Sequence, residues 1–184
     1  PHKGFYIPFP ENDLKSKYII EKLRPFFENS SVEKIGQNLK YDIKVLSQYK
    51  IAVKGPLFDT MIAHYIINPD MRHNMSVLAE NYLNYEVIPI ENLIGKKGKN
   101  QKSMREVDLK EITEYAVEDA DITFQLAKLF KNEMTEANMI ELFNSIEIPL
   151  IKVLASMESE GVRLDIEFLK TLSIDLNNDI KNLE

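Results

Sequence analysis

One aspartate lies where a core residue is expected. Residues 109–131 carry a helical pattern, and one face of it reads Ile112, Tyr115, Asp119, Ile122, Leu126 and Leu129, at spacings that alternate between three and four. Five of these side chains suit a core; the carboxylate does not. Buried without a partner it would lose several kcal/mol or take up a proton. A charge kept on such a stripe implies a compensating arginine, backbone donors or a metal ion. Tyr115 stands one turn before Asp119, so its hydroxyl can share the same cleft. The alternative is a solvated position at the edge of the stripe, in keeping with the acids that crowd the helix: Glu111, Glu114, Glu118 and Asp121.

A second place for chemistry is Asn38-Leu39-Lys40-Tyr41-Asp42, directly after the apolar strand expected at Lys34-Ile35-Gly36. Polar groups just beyond a strand, where a helix begins, are where α/β folds hold ligands. The plain alternative is Asn38 as an ordinary N-cap, with Asp42 in a first turn that the helix dipole favours.

Several elements must position these residues. Gly4-Phe5-Tyr6-Ile7-Pro8-Phe9-Pro10 reads as a short strand ended by prolines, and Ser16 as the cap of a helix to about residue 28. A helix over 41–49, a β-rich stretch at 51–53 and helices over 59–67 and 75–83 follow. A second long helix is expected over 136–159, stopped at Glu160-Gly161, with Asp165 capping a last one. Strands among early helices suggest an α/β sheet, with helices gathering later. Between 95 and 105 the chain turns basic: Lys96, Lys97, Lys99, Lys102 and Arg105 without an intervening acid, beside Asn100 and two glycines. That reads as a mobile loop, either a solvated connection or a phosphate contact. His64 reads as packed within an apolar helix and His2 as a terminal residue.

Composition narrows the classes. At 184 residues and 44% hydrophobic, the chain has the makeup of a globular domain with an appendage. A net charge of −6 argues against a passive electrostatic nucleic-acid binder, but not against an enzyme whose acids hold metals. With no cysteine there is no disulfide and no thiolate site. No apolar run reaches the roughly 18 residues that span a bilayer, so no membrane partner is expected.

Together the two motifs form a specific set. Gly36-Gln37-Asn38-Leu39-Lys40-Tyr41-Asp42 resembles the second exonuclease motif of the bacterial DNA polymerase I family, and Tyr115-Ala116-Val117-Glu118-Asp119 resembles its third, the Tyr-x-x-x-Asp form. Phe58-Asp59-Thr60-Met61, Arg72-His73-Asn74-Met75 and Gly98-Lys99-Asn100-Gln101 fall between them in the family's order. Ile146-Glu147-Ile148-Pro149-Leu150 and Glu160-Gly161-Val162 resemble the start of its polymerase region. The resemblance implies a ribonuclease H-like α/β fold with a 3′→5′ exonuclease domain over 1–140 and the first polymerase (linker and thumb) helices over 141–184. It implies proofreading hydrolysis at the single-stranded 3′ end of DNA by two divalent ions, Mg²⁺ or alternatively Mn²⁺ or Zn²⁺, held by four carboxylates. By resemblance Asp119 would be a direct metal ligand, Asp42 a ligand acting largely through metal-bound water, and Tyr115 the residue that orients the attacking water. Gln37 and Asn38 would lie near the frayed end and Arg72 near its phosphates, with Lys99 and Asn100 as further DNA contacts. The remaining partner would be the rest of a polymerase chain, in a monomeric, cytoplasmic, nucleoid-associated protein.

The family's first motif, an Asp-x-Glu on the opening strand, has no counterpart here, so the sequence reads as N-terminally truncated, inactive by itself and unable to bind the ions tightly. Asp59, whose neighbour at the glutamate position is Met61, reads instead as an N-cap, and Asp165-Ile166-Glu167 lies beyond the third motif. Two other readings are a related RNA 3′-end exonuclease and a degenerate domain kept as a polymerase scaffold.

Overall fold

The computed structural model describes residues 3–183; His2 lies outside them. Helices dominate, around a two-stranded parallel sheet of β1 (Lys34–Gly36) and β2 (Leu57–Asp59), paired in the register Lys34 to Leu57 and Gly36 to Asp59. The crossover between the strands is α2 (Leu39–Gln48), as parallel pairing requires. β1 falls where the sequence places it. The second strand does not: residues 51–53 are irregular, and Ile51 is a buried plug rather than a ladder residue.

The opening residues also differ from expectation. Residues 3–10 form no strand, because among the described residues no strand pairs with them. They lie instead along a later helix, close enough that a Cβ on Gly4 would stand 2.7 Å from Val117 Cγ1. α1 (Asp13–Phe27) is capped by Asn12, whose side chain accepts from the Leu14 and Lys15 amides, both at 3.1 Å. Ser16 is therefore inside the helix, and its hydroxyl donates back to the Pro10 carbonyl at 2.6 Å.

Lys34 pins the turn before the sheet. Its ammonium is buried and donates to the carbonyls of Asn29 (2.5 Å), Val32 (2.8 Å) and Lys54 (2.7 Å). Burial, then Lys152, pulls its pKa below the ordinary lysine value. Gly55 closes the same turn at φ +84°, where a Cβ would sit 2.9 Å from three carbonyl oxygens.

α3 (Thr60–Ile67) and α4 (Met75–Leu83) match their predicted spans, the latter capped by Asn74. A short α5 (Ile90–Ile94), which the sequence did not announce, precedes the basic stretch. That stretch is folded back rather than loose: Lys102 N donates to Ile94 O at 2.9 Å, and Ser103 and Glu106 form a reciprocal cap on a short 3₁₀ turn.

α6 (Leu109–Glu136) is the long element against which the rest packs. Its buried face runs Ile122, Thr123, Leu126, Ala127, Phe130 and Met134. The predicted stripe holds through Leu126 and then drifts. A strict alternation of three and four averages 3.5 residues, whereas the helix turns every 3.6, so the core face passes from Leu129 to Phe130. α6 continues to Glu136, so the second long helix starts later than residue 136, after left-handed Asn138 (φ 56°). It consists of α7 (Ile140–Leu142), a π-turn at Phe143–Glu147 and α8 (Ile148–Glu160). The widened turn comes just before Pro149, which has no amide to donate to the preceding turn. Phe143 from this turn packs on Phe58 of β2, with ring centroids 5.0 Å apart. Gly161 ends α8 and Asp165 caps α9 (Ile166–Leu183) as the sequence indicates, the latter through the Phe168 amide at 3.0 Å. Every described residue of α9 is exposed.

The tightest junction is at the C-terminal ends of the two strands. Asp59, 1% exposed, takes four backbone N–H groups on one carboxylate. Met61 and Ile62 donate at 2.9 and 3.4 Å, which caps α3 as predicted. Asn38 and Leu39 donate at 3.1 and 2.7 Å, which caps α2 as well. Burial pushes the carboxyl above its usual range, and the four donors pull it back.

Asp59→Ala leaves these donors without an acceptor in a closed site. The expected loss of unfolding free energy is about 3 kcal/mol, with Asp59→Asn intermediate. Urea denaturation checks it, and a loss below about 1 kcal/mol for Asp59→Ala would contradict the bridging role.

Candidate functional site

Two polar constellations stand on this frame. The first is on α6. The Tyr115 hydroxyl stands beside the Asp119 carboxylate one turn on, at the wall of a groove of about 610 Å³ between α4, residues 86–91 and α6. Met75, Val87, Ile88 and Pro89 give the groove an apolar side; Glu80, Glu86 and Glu91 line its edges. Burial, with Asp119 beside it, raises the Tyr115 hydroxyl to about 12. It stays protonated at neutral pH and can both donate and accept. Burial also raises Asp119, the Tyr115 hydrogen bond opposes this, and Glu118 adds to it. Asp119 is thus a half-buried member of the stripe with a partner, not a freely solvated edge residue.

Glu118, which the sequence reading passed over as one acid among several, holds the groove's wall. Its carboxylate accepts from the Tyr85 hydroxyl at 2.7 Å and from the Ile88 amide at 2.9 Å, tying residues 85–88 to α6. Neither contact has a local sequence signal, since the partners are 33 and 30 residues away.

The second constellation follows β1. Asn38 is not the ordinary cap that composition allows: it stands in the left-handed region (φ 63°, ψ 50°), its side chain makes no capping bond, and Asp59 takes over that role. Asn38 tolerates this backbone better than most residues, and its side chain is left uncommitted. Gln37 is committed. Its amide nitrogen donates to the His73 carbonyl at 2.8 Å and its oxygen accepts from the Thr60 hydroxyl, so it braces the strand end against α3 and the turn before α4. One amide hydrogen and one oxygen lone pair of Gln37 are left over for a further partner. Asp42 is in the first turn of α2, open to solvent. The protein crowded around it, and the Asp59 carboxylate, nevertheless raise its carboxyl to about 6.

Arg72 is exposed on the turn before α4, and Lys99 and Asn100 are exposed on the basic stretch. His64 is fully buried against Tyr82 and Phe130, as a packed histidine should be, and its Nδ1 lies 2.7 Å from that of His73. The two acidic substitutes for a first motif are both structural. Asp59 is the buried double cap; Asp165 caps α9 while Glu167 pairs with Lys170 at 2.8 Å.

The structure therefore brings Tyr115 and Asp119 together, and Gln37 to the turn that carries Arg72. Asp42 is not among the residues that line the Asp119 groove. Among the described residues no group of three or more His, Cys, Asp or Glu side chains converges closely enough to hold a metal ion. Asp42 and Asp119 are carboxylates suited to a hard divalent ion, but on separate elements they do not make a coordination shell.

Comparison with known proteins gives this geometry a context. A family model described as 3′-5′ exonuclease matches residues 5–135. The DNA polymerase I of Borreliella burgdorferi is 37% identical over 171 residues, covering 91% of this chain and 18% of the relative. Those of Rhizobium leguminosarum and Pseudomonas aeruginosa are each 33% identical, over 95% and 97% of this chain and 17% and 20% of theirs. The chain thus spans about a fifth of the length of these relatives. A solved structure, the POL domain of Pol1 from M. smegmatis in complex with DNA primer-template and dNTP, shares the fold at a TM-score of 0.68 and 20% identity, over 88% of this chain and 25% of that one. Among the described residues no helix is long and apolar enough to cross a membrane.

Asp42 gives a pH-dependent test. Its folded pKa, about 6, exceeds the ordinary value of 3.8, so the folded state holds this proton more tightly than the unfolded chain does. That contribution is full below the unfolded value and lost as pH rises through the folded one. Asp42→Asn should therefore raise the melting temperature above about pH 7 and change it little below about pH 4. Equal melting temperatures at both would contradict the crowded carboxyl.

Proposed function

The chain belongs to the 3′-5′ exonuclease family of A-type DNA polymerases, and on that premise we propose that it is the proofreading module of a DNA polymerase I, acting at single-stranded DNA 3′ ends. The observation that carries this reading is the Tyr115–Asp119 pair: a neutral tyrosine beside an acid on the wall of an open groove, inside the matched region.

In this reading the fold is ribonuclease H-like. A parallel β1–α2–β2 unit supports it, with polar residues gathered beyond the strands' C-terminal ends. Asp119 supplies fixed negative charge in the groove and Tyr115 holds a water through its hydroxyl. Asn38, with its unengaged side chain, and exposed Arg72, Lys99 and Asn100 meet the DNA end and its phosphates. Gln37 braces the strand end and keeps one amide hydrogen for the frayed end. Divalent ions, Mg²⁺ with Mn²⁺ or Zn²⁺ as alternatives, would supply the activated nucleophile and neutralise the leaving oxygen. Asp119 would be a direct ligand and Asp42 one through water, with further ligands needed beyond these two. Residues 1–140 form the nuclease region and 141–184 the start of the polymerase region, in a monomeric protein of the bacterial cytoplasm. This boundary divides roles rather than packing, because Phe143 belongs to the same core as Phe58 and Phe130.

One observation favours a second reading, a nuclease fold kept as a polymerase scaffold: the described residues lack a converging three-ligand group. The assay that separates the two is nucleotide release from a 3′-labelled single strand with Mg²⁺ or Mn²⁺. This chain alone should release almost none. In a longer polymerase containing it, Asp119→Ala should lower release by about 10³-fold or more, and Tyr115→Phe by about 10- to 100-fold. Release unchanged by Asp119→Ala would support the scaffold.

A further inference from the structure

The imidazole pair of α3 and the following turn is not used by the nuclease reading. His64, 0% exposed, has its Nδ1 2.7 Å from Nδ1 of half-buried His73. His64 Nε2 is buried and has no hydrogen-bond partner. The groups facing the pair are Tyr65 from α3, Tyr82 from α4 and Phe130 from α6, with Glu133 of α6 acting on Tyr82 from behind. His73 has a second role through its backbone: its carbonyl accepts the Gln37 amide, and Asn74 beside it caps α4.

The proton count of this contact is fixed. One N–H lies between the two Nδ1 atoms, one ring donating and the other accepting. With one added proton that arrangement holds: one ring carries both of its N–H groups and donates, and the other is neutral and accepts through Nδ1. A second proton must go on the accepting Nδ1. Two N–H groups and two positive charges would then face each other across 2.7 Å, in a site lined by rings.

We propose that the His64–His73 contact is an acid-sensitive latch, closed with none or one added proton and opened by the second, which frees the turn at 68–74 that carries Arg72 and anchors Gln37. Burial, then His73, lowers the His64 pKa, in keeping with a latch that resists its second proton. The inference rests on these contacts alone and stands whether or not the domain cuts DNA.

Nuclear magnetic resonance on this chain tests it. Between about pH 7.5 and about pH 4.5, hydrogen-exchange protection of the 68–74 amides, corrected for intrinsic exchange, should fall at least about tenfold, and the Gln37 side-chain amide should shift with the same midpoint. The two rings should titrate in two separate steps, with the loss tracking the lower. His73→Asn places a non-titrating amide near the position of Nδ1 and keeps every carboxylate; its protection and its Gln37 signal should not change over this range. Retained protection in the unmodified chain, or the same loss in His73→Asn, overturns the latch.

Discussion

A single carboxylate decides where the candidate site can be. Helix N-termini leave several amides without partners, and two such termini meet at the end of the sheet. Asp59 serves both, because β2 delivers it level with Gly36 while α3 starts at the next residue. Its Oδ1 is shared mainly within α3 and its Oδ2 goes to Leu39, the first residue of α2. The left-handed turn at Asn38 is what aims those amides at it. Once that bond is made, α2 has one origin and one direction, and Asp42 is placed by counting three residues along a rigid helix. The carboxylate also acts on what it places, since its charge is part of what raises Asp42.

From this junction the rest of α2 is fixed by a second contact that is weaker but more distant in sequence. Lys40 and Lys44, one turn apart, both reach Glu158 of α8, at 2.6 and 2.9 Å. The three side chains are each partly exposed, so the bridge is a registration contact rather than a large source of stability. Together the two lysines hold the Glu158 carboxyl down to about 2. The face of α2 that meets α8 is opposite the face that carries Asp42. The helices after residue 140 thus form the back wall of the second constellation, whatever they contribute elsewhere.

What the sequence revealed follows the range of each interaction. Asp119 was legible because a charge interrupting a 3–4 stripe is a local anomaly, and its partner, Tyr115, was one turn away. Gly161 and Asp165 end and begin helices by rules that span a few residues. The same locality misled elsewhere. Asn38 has the composition of a cap, yet the cap is 21 residues on. Ile51-Ala52-Val53 is β-branched enough for a strand, but Leu57-Phe58-Asp59 has the ladder, because Lys34, held by Lys54 and the Gly55 turn, sets where the second strand can pair. Asp59 looked like a helix start and was one; that it also ended a strand and capped a second helix was not visible along the chain.

The acids of this domain differ in what they contribute to folding, and the difference separates scaffold from chemistry. Asp59, Glu118 and Glu158 each take two or more donors, so ionising them satisfies groups that would otherwise go without. Asp119 has one neutral hydroxyl beside it, and no described hydrogen bond ends on Asp42; both are raised by their surroundings, as Asp59 is, but without the four backbone donors that offset its burial. A protein selected only for stability has little reason to keep a carboxyl where charging it is opposed. Groups of this kind concentrate where a cation or a substrate completes the balance. Asp42 and Asp119, on different elements, are the two such carboxyls that the proposed nuclease reading uses.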